Sequence, residues 1–212
     1  MGKEVYMISP VRQVTPEQSL EINRYVEVLK ERGEKVFNPI EDAPQDDATG
    51  YNIVMAELNF MHKAAKNGGR VDILWNKGGK PSEGSRVDFG IAYALGLETS
   101  LAVVFNENSP TGPQEAFGII KDLANGRSSL RLKLLDALLE NIRKAKKVVI
   151  DWDIDMSTER QEWQRIRLGL ALGCMAQNPK LRIKMGRLSG DEMPGKGYPK
   201  VIREIEKRQS RT

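Results

Sequence analysis

One cysteine and one histidine are all that 212 residues carry of those two types. Cys174 has no second thiol to bridge and no companions for a zinc cluster, which excludes an intrachain disulfide framework. It reads as a small buried apolar residue in a reducing compartment. His62 falls in a helical stretch without a neighbouring nucleophile, so Ser-His-Asp chemistry is disfavoured and His62 reads as a surface or packing residue. No apolar run approaches the roughly 18 residues of a membrane helix. Met1-Gly-Lys-Glu-Val-Tyr6 leads into a strand-like run without the apolar core of a signal peptide. The expectation is a cytoplasmic protein with no membrane partner. Aromatic residues are only 6% of the chain and scattered, so the stacking platform of a nucleic-acid binder is missing. Nucleic acid is not an expected partner.

What is present is globular composition: 40% hydrophobic and 29% charged residues, with a net charge of +4. Much of the excess lies in Lys196, Lys200, Arg203, Lys207, Arg208 and Arg211, which reads as a solvated helix face. Short apolar runs at Val5–Ser9, Lys35–Phe37, Val71–Trp75, Ser100–Phe105, Val148–Trp152 and Arg182–Met185 alternate with segments of helical spacing. Those segments are expected at about 16–32, 51–66, 82–95, 130–145, 158–176 and after Pro199, with a polar loop from Pro39 to Gly50. The alternation predicts an α/β fold, doubly wound and flavodoxin- or Rossmann-like, with helices on both faces of a mostly parallel sheet. Residues 1–125 read as the core, and 126–212 as an α/β extension completing the same sheet in a single domain. Trp75 precedes Ala94-Leu-Gly96 by the same interval as Trp152 precedes Ala171-Leu-Gly173. Two strand-loop-helix units of similar length account for that echo.

In such sheets ligands bind beyond the carboxyl ends of the strands. That rule selects Ser9, Pro10 and Arg12, then Asn38, Asn76 and Lys77, Asn106 and Asn108, and Asp151, Asp153 and Asp155. The three aspartates lack the Gly and the later Glu of a calcium loop and read as a polar rim. Gly68-Gly-Arg70 and Gly78-Gly-Lys80 have neither Walker nor dinucleotide spacing and read as turns. No metal or cofactor is expected. Ser82 is a candidate N-cap, and Gly84-Ser85 would let a ligand approach the first-turn amides. Asp88 is the sharpest residue, an acid among Val87, Phe89 and Ile91 on a helix that must pack on the sheet. The pattern alone leaves it either buried with a use or exposed on the wet face.

Val71-Asp-Ile-Leu-Trp75, then Gly84-Ser-Arg-Val-Asp-Phe-Gly90, then Ala92-Tyr-Ala-Leu-Gly96 resembles the nucleoside 2-deoxyribosyltransferase family and the related nucleotide N-glycoside hydrolases. Tyr6-Met-Ile-Ser-Pro10 and the unit ending at Pro39 are similar to its opening, and the match spans roughly residues 4–105. The resemblance implies cleavage or exchange of the N-glycosidic bond of a nucleoside or nucleotide. It places Asp88 at the nucleophile that holds a covalent glycosyl intermediate, with Asp72 and Ser85 organising it. Tyr6, Ser9, Pro10, Asn38, Ser82 and Gly84 would contact substrate, and Arg12 and Arg86 would hold a 5′-phosphate. It also implies a homo-oligomer. The chain departs from the family in carrying Asp88 where Glu is usual, a side chain shorter by about 1.5 Å. It also carries Ser82 where an Asp often protonates the leaving base. The alternative is a nucleotide-binding sensor or sequestering protein without turnover.

Overall fold

A computed structural model describes residues 3–9, 16–44, 46–76, 83–105, 130–153, 158–189 and 197–211. Strand β1 (Glu4–Ile8) is buried at all five positions, as a central strand covered on both faces must be. Helix α1 (Pro16–Glu31) opens on a proline, whose fixed φ suits a first turn, and stops at Gly33. Gly33 takes a φ of 76°, and the Glu34 N–H returns to the Leu29 carbonyl at 3.1 Å. Strand β2 (Lys35–Phe37) follows. The expected polar loop after it is partly helical: α2 (Pro39–Asp42) is capped by the Asn38 side chain, which accepts from the Ile40 N–H at 3.3 Å. The loop's remaining polar residues have structural work. Asp47 accepts from the Thr49 and Asn52 amides, and Thr49 Oγ1 from the Tyr51 N–H, at the start of α3 (Tyr51–Lys66).

Strand β3 (Arg70–Asn76), helix α4 (Glu83–Leu95) and strand β4 (Glu98–Phe105) form one βαβ unit. After helix α5 (Leu130–Lys144), strand β5 (Lys147–Asp153), helix α6 (Thr158–Gln177) and strand β6 (Arg182–Ser189) form another, and helix α7 (Tyr198–Gln209) follows. The first sheet has the order β2-β1-β3-β4, all parallel. Met7 and Leu74 face Ile22 and Val26 of α1, while Tyr6, Ile8, Val71 and Ile73 face the larger core built with α3 and α4. Both faces are therefore covered, as the alternation required. The second half departs from expectation. Among the described residues β5 and β6 pair in parallel with each other and form a separate two-stranded sheet.

Helix packing makes the join between the halves. Val87, Gly90, Ile91 and Ala94 form a stripe at i, i+3, i+4 and i+7 on α4, and Ile166, Gly169, Leu170 and Gly173 repeat that spacing on α6. A Cβ on Gly90 would lie 2.9 Å from Gly169 Cα and one on Gly173 2.7 Å from Ala94 Cβ. The contacts advance together along both helices, so α4 and α6 run parallel with their backbones nearly touching. Gly96 ends α4 at a φ of 71°, whereas Gly173 is a contact point inside α6, so the matching glycines of the sequence echo do different jobs. One apolar core runs through both halves, from Tyr6 and Ile73 to Ile150, Ile183 and Ile205. Among the described residues no helix is long and apolar enough to cross a membrane.

Candidate functional site

Asp88 follows Val87 on α4, which turns it about 100° off the stripe that meets α6 and toward β1 and α3. It is buried, with 6% exposure. Two side chains face it there. Tyr6 of β1 is fully buried, its ring stacked on Phe37 at 5.4 Å between centroids and tilted against Phe60 at 6.3 Å. Glu57 of α3 is buried as well, on the same stripe as Val54, Leu58 and Met61. The Tyr6 hydroxyl stands by both carboxylates and favours their charged forms. The contacts are close but off-line, for neither Tyr6 Oη nor Asp88 Oδ1 completes a hydrogen bond of ordinary geometry.

Burial dominates the electrostatics. It pushes Asp88 up to about 7, with the Tyr6 hydroxyl opposing. It pushes Glu57 well above the carboxylate range, and the neighbouring Asp88 charge adds to the rise. Tyr6 is raised by burial and then by the two acids, so it remains a neutral phenol. The carboxylates titrate as a pair, each raised above the ordinary carboxylate range. Asp88 is the easier site for a negative charge, since its charge adds to the rise of Glu57. Two buried carboxyl groups with raised and interacting titrations are the outcome.

Two further residues expected from the sequence lie at the carboxyl ends of the strands. Ser9 follows β1 and Asn38 follows β2, which pairs with β1 at Tyr6 and Phe37. Both are buried, and among the described residues Ser9 Oγ and Asn38 Nδ2 have no hydrogen-bond partner. An orphaned buried polar atom costs about 1–3 kcal/mol, so each of these atoms calls for a further partner. Ser85 is buried one turn before Asp88, about 60° round the helix, and Gly84 precedes it in the first turn.

Two expected site residues lie away from the Asp88 face. Asp72 is buried but lies on the other face of β3, because side chains alternate and Val71 and Ile73 take the α4 face. Its carboxylate accepts from Tyr25 Oη at 2.8 Å, Ser100 Oγ at 2.8 Å and Arg70 Nε at 3.0 Å, and Arg70 also pairs with Glu34 at 2.7 Å. Burial and the Asp72 carboxylate hold Tyr25 at about 12, which keeps it a donor. Asp72 therefore ties α1 to the sheet on the face away from Asp88. Arg86 is buried on α4 about 200° from Asp88, on the opposite flank of the α6-facing stripe, and does not share the Asp88 face. Pro10, Arg12, Lys77, Ser82, Asn106, Asn108 and Asp155 lie outside the described residues, as do the side chains of Asn76 and Asp153. Asp151 accepts from the Arg187 N–H at 2.8 Å and braces the second sheet.

Glu57 is the residue that sequence reasoning passed over. A signal existed: an acid on the apolar stripe of an amphipathic helix is buried by its position. An open cleft of about 390 Å³ lined by Tyr93, Gly96, Leu97, Thr99, Asp136 and Leu139 lies at the far end of α4. Its acidic group, Asp136, accepts from the Tyr93 hydroxyl, so the cleft offers no reactive pair. No protein-family model matches the sequence, and no curated protein sequence matches it.

Proposed function

We propose that the protein cleaves or exchanges the N-glycosidic bond of a nucleoside or nucleotide in the cytoplasm, with Asp88 as nucleophile and Glu57 as acid. The observation that carries this reading is the buried Asp88–Glu57 pair with the Tyr6 hydroxyl between its members. An Asp88 oxygen attacks the anomeric carbon, the carbon–nitrogen bond breaks with its electrons on the base, and the Glu57 proton passes to that base. Water or a second base then attacks the glycosyl-Asp88 ester, Glu57 takes up the proton, and Asp88 leaves as carboxylate. Tyr6 holds both acids on one side of the sugar. Ser85 and Gly84 border Asp88, and Ser9 and Asn38 offer unpaired polar atoms to the substrate. A homo-oligomer belongs to this reading, and exposed Leu130 and Leu134, one turn apart on α5, offer it an apolar surface.

A non-catalytic nucleotide-binding protein is the second reading. It is favoured by one observation: at about 7, Asp88 is only partly ionised at neutral pH, and its side chain is short. Incubation with a panel of nucleosides and 5′-nucleotides, following released base, separates the two. The enzyme reading expects release in the wild type, a loss of at least about 10³-fold in Asp88→Ala, and a loss of about 10²-fold in Glu57→Gln, with folding intact by circular dichroism. Binding without release from any substrate would leave the second reading standing.

A further inference from the structure

The seam between α4 and α6 has two banks. Because the helices run parallel, the residue after Val87 and the residue before Ile166 rotate to the same side of the contact. Those residues are Asp88 and Arg165. Asp88 looks toward Tyr6 and Glu57. Arg165, 3% exposed, lays its guanidinium 5.0 Å from the centroid of the Trp152 ring and donates to the Gln161 carbonyl at 3.0 Å. Trp152 is itself buried at the end of β5 and lies against the Tyr198 ring, 5.7 Å away at 33°. Tyr198 is half-buried and opens α7.

Helix α7 is fixed to the first half. Arg208 stands 4.1 Å over the Tyr51 ring at the start of α3, and a Cβ on Gly50 would touch Val201 at 3.4 Å. Tyr198 sits one turn before Val201 and packs against the core cluster that includes Tyr6. The two phenols are near enough for Tyr198 to help raise Tyr6. The stack Arg165–Trp152–Tyr198 thus runs from the α6 bank of the seam to the edge of the Asp88 site.

We propose that Tyr198 is a substrate-contacting residue of the Asp88 site, supplied by the C-terminal half of the same chain, and that Trp152 and Arg165 position its ring. The inference rests on the glycosidic reading for its substrate class. A half-buried ring, packed on the Trp152 that Arg165 reaches from Asp88's bank of the seam, suits the flat face of a nucleobase. Arg165 and Trp152 act through Tyr198: cation and indole fix the plane of the ring against which the base stacks.

The test uses the full chain, with steady-state kinetics on the substrate that releases base. A second arm titrates nucleosides and nucleoside 5′-monophosphates into the Asp88→Asn background by calorimetry. Tyr198→Ala is expected to raise KM and Kd about tenfold or more, with the larger part of the loss in KM rather than kcat, and Tyr198→Phe to recover most of it. Arg165→Gln is expected to weaken binding in the same direction and Arg165→Lys to recover part, as a retained cation over Trp152 would. If Tyr198→Ala fails to fold, Tyr198→Leu keeps the packing on Trp152 while removing the flat ring, and gives the same readout. Release by the wild type with KM, kcat and Kd unchanged in the Tyr198 variants overturns the inference and leaves the reaction. No release from any substrate, with Kd still dependent on Tyr198, overturns the reaction and leaves the contact. Absence of both release and binding overturns both.

Discussion

Burial raises Asp88 and Glu57 together, and that gives stability a pH dependence of definite sign. A carboxyl raised to about 7 by burial binds its proton more tightly when folded than when unfolded. The stabilisation is fully present below the ordinary range near 4 and is lost as the pH rises through about 7. Thermal melts from pH 4 to pH 9 should show the wild type losing stability over that window. Asp88→Asn should lose less and melt higher than wild type at pH 8; parallel curves would contradict the burial argument. Asp72 makes a contrasting case. Its carboxylate is satisfied by Tyr25, Arg70 and Ser100 away from the Asp88 face. Asp72→Ala leaves those donors behind and should cost about 3 kcal/mol of stability by denaturant unfolding. Base release by the folded variant should keep its KM and kcat, whereas a collapse of kcat at full stability would return Asp72 to the site.

At the scale of elements, the α4–α6 crossing is the most constrained contact. Gly169 is packed so that a Cβ would strike the Val87 carbonyl, and its neighbours are backbone atoms, which cannot turn aside as a side chain can. Gly169→Ala must spread the helices or bend one of them, at a cost of about 3 kcal/mol, toward the upper end for an overpacked core. Differential scanning calorimetry should show a clear drop in Tm. A melt indistinguishable from wild type would mean the helices are further apart than described. The same crossing sets the distance between Asp88 and the second half, so in a variant that still folds KM should rise along with the fall in Tm.

For the whole molecule, the two sheets are joined by one apolar core, and among the described residues no hydrogen bonds pair their strands. The first half therefore depends on the second for burial rather than for pairing. A chain ending at residue 125 would expose the Val87, Ile91 and Ala94 stripe, which is fully buried in the intact protein. Expressed alone, residues 1–125 should bind a hydrophobic dye and lack a cooperative melt. A sharp transition would show that the core is self-sufficient.

The sequence by itself determined the elements. Period-two and period-3.6 patterns, with Gly33 and Gly96 as stops, placed α3 at 51–66 and the other long elements to within a residue or two, because those signals are local. Only β6, longer than expected, and the short α2 departed noticeably. Asp88, Ser9 and Asn38 were legible as site candidates because strand ends and an acid among apolar residues can be read in one dimension, whereas Tyr6, in mid-strand, entered only through the family resemblance. Which face of β3 carries Asp72, that Glu57 meets Tyr6, and that β5 and β6 stand apart were decided by tertiary structure. Each is a question of which distant surfaces meet, and buried desolvation with the near-contact of two glycine-lined helices settles it over tens of residues of separation.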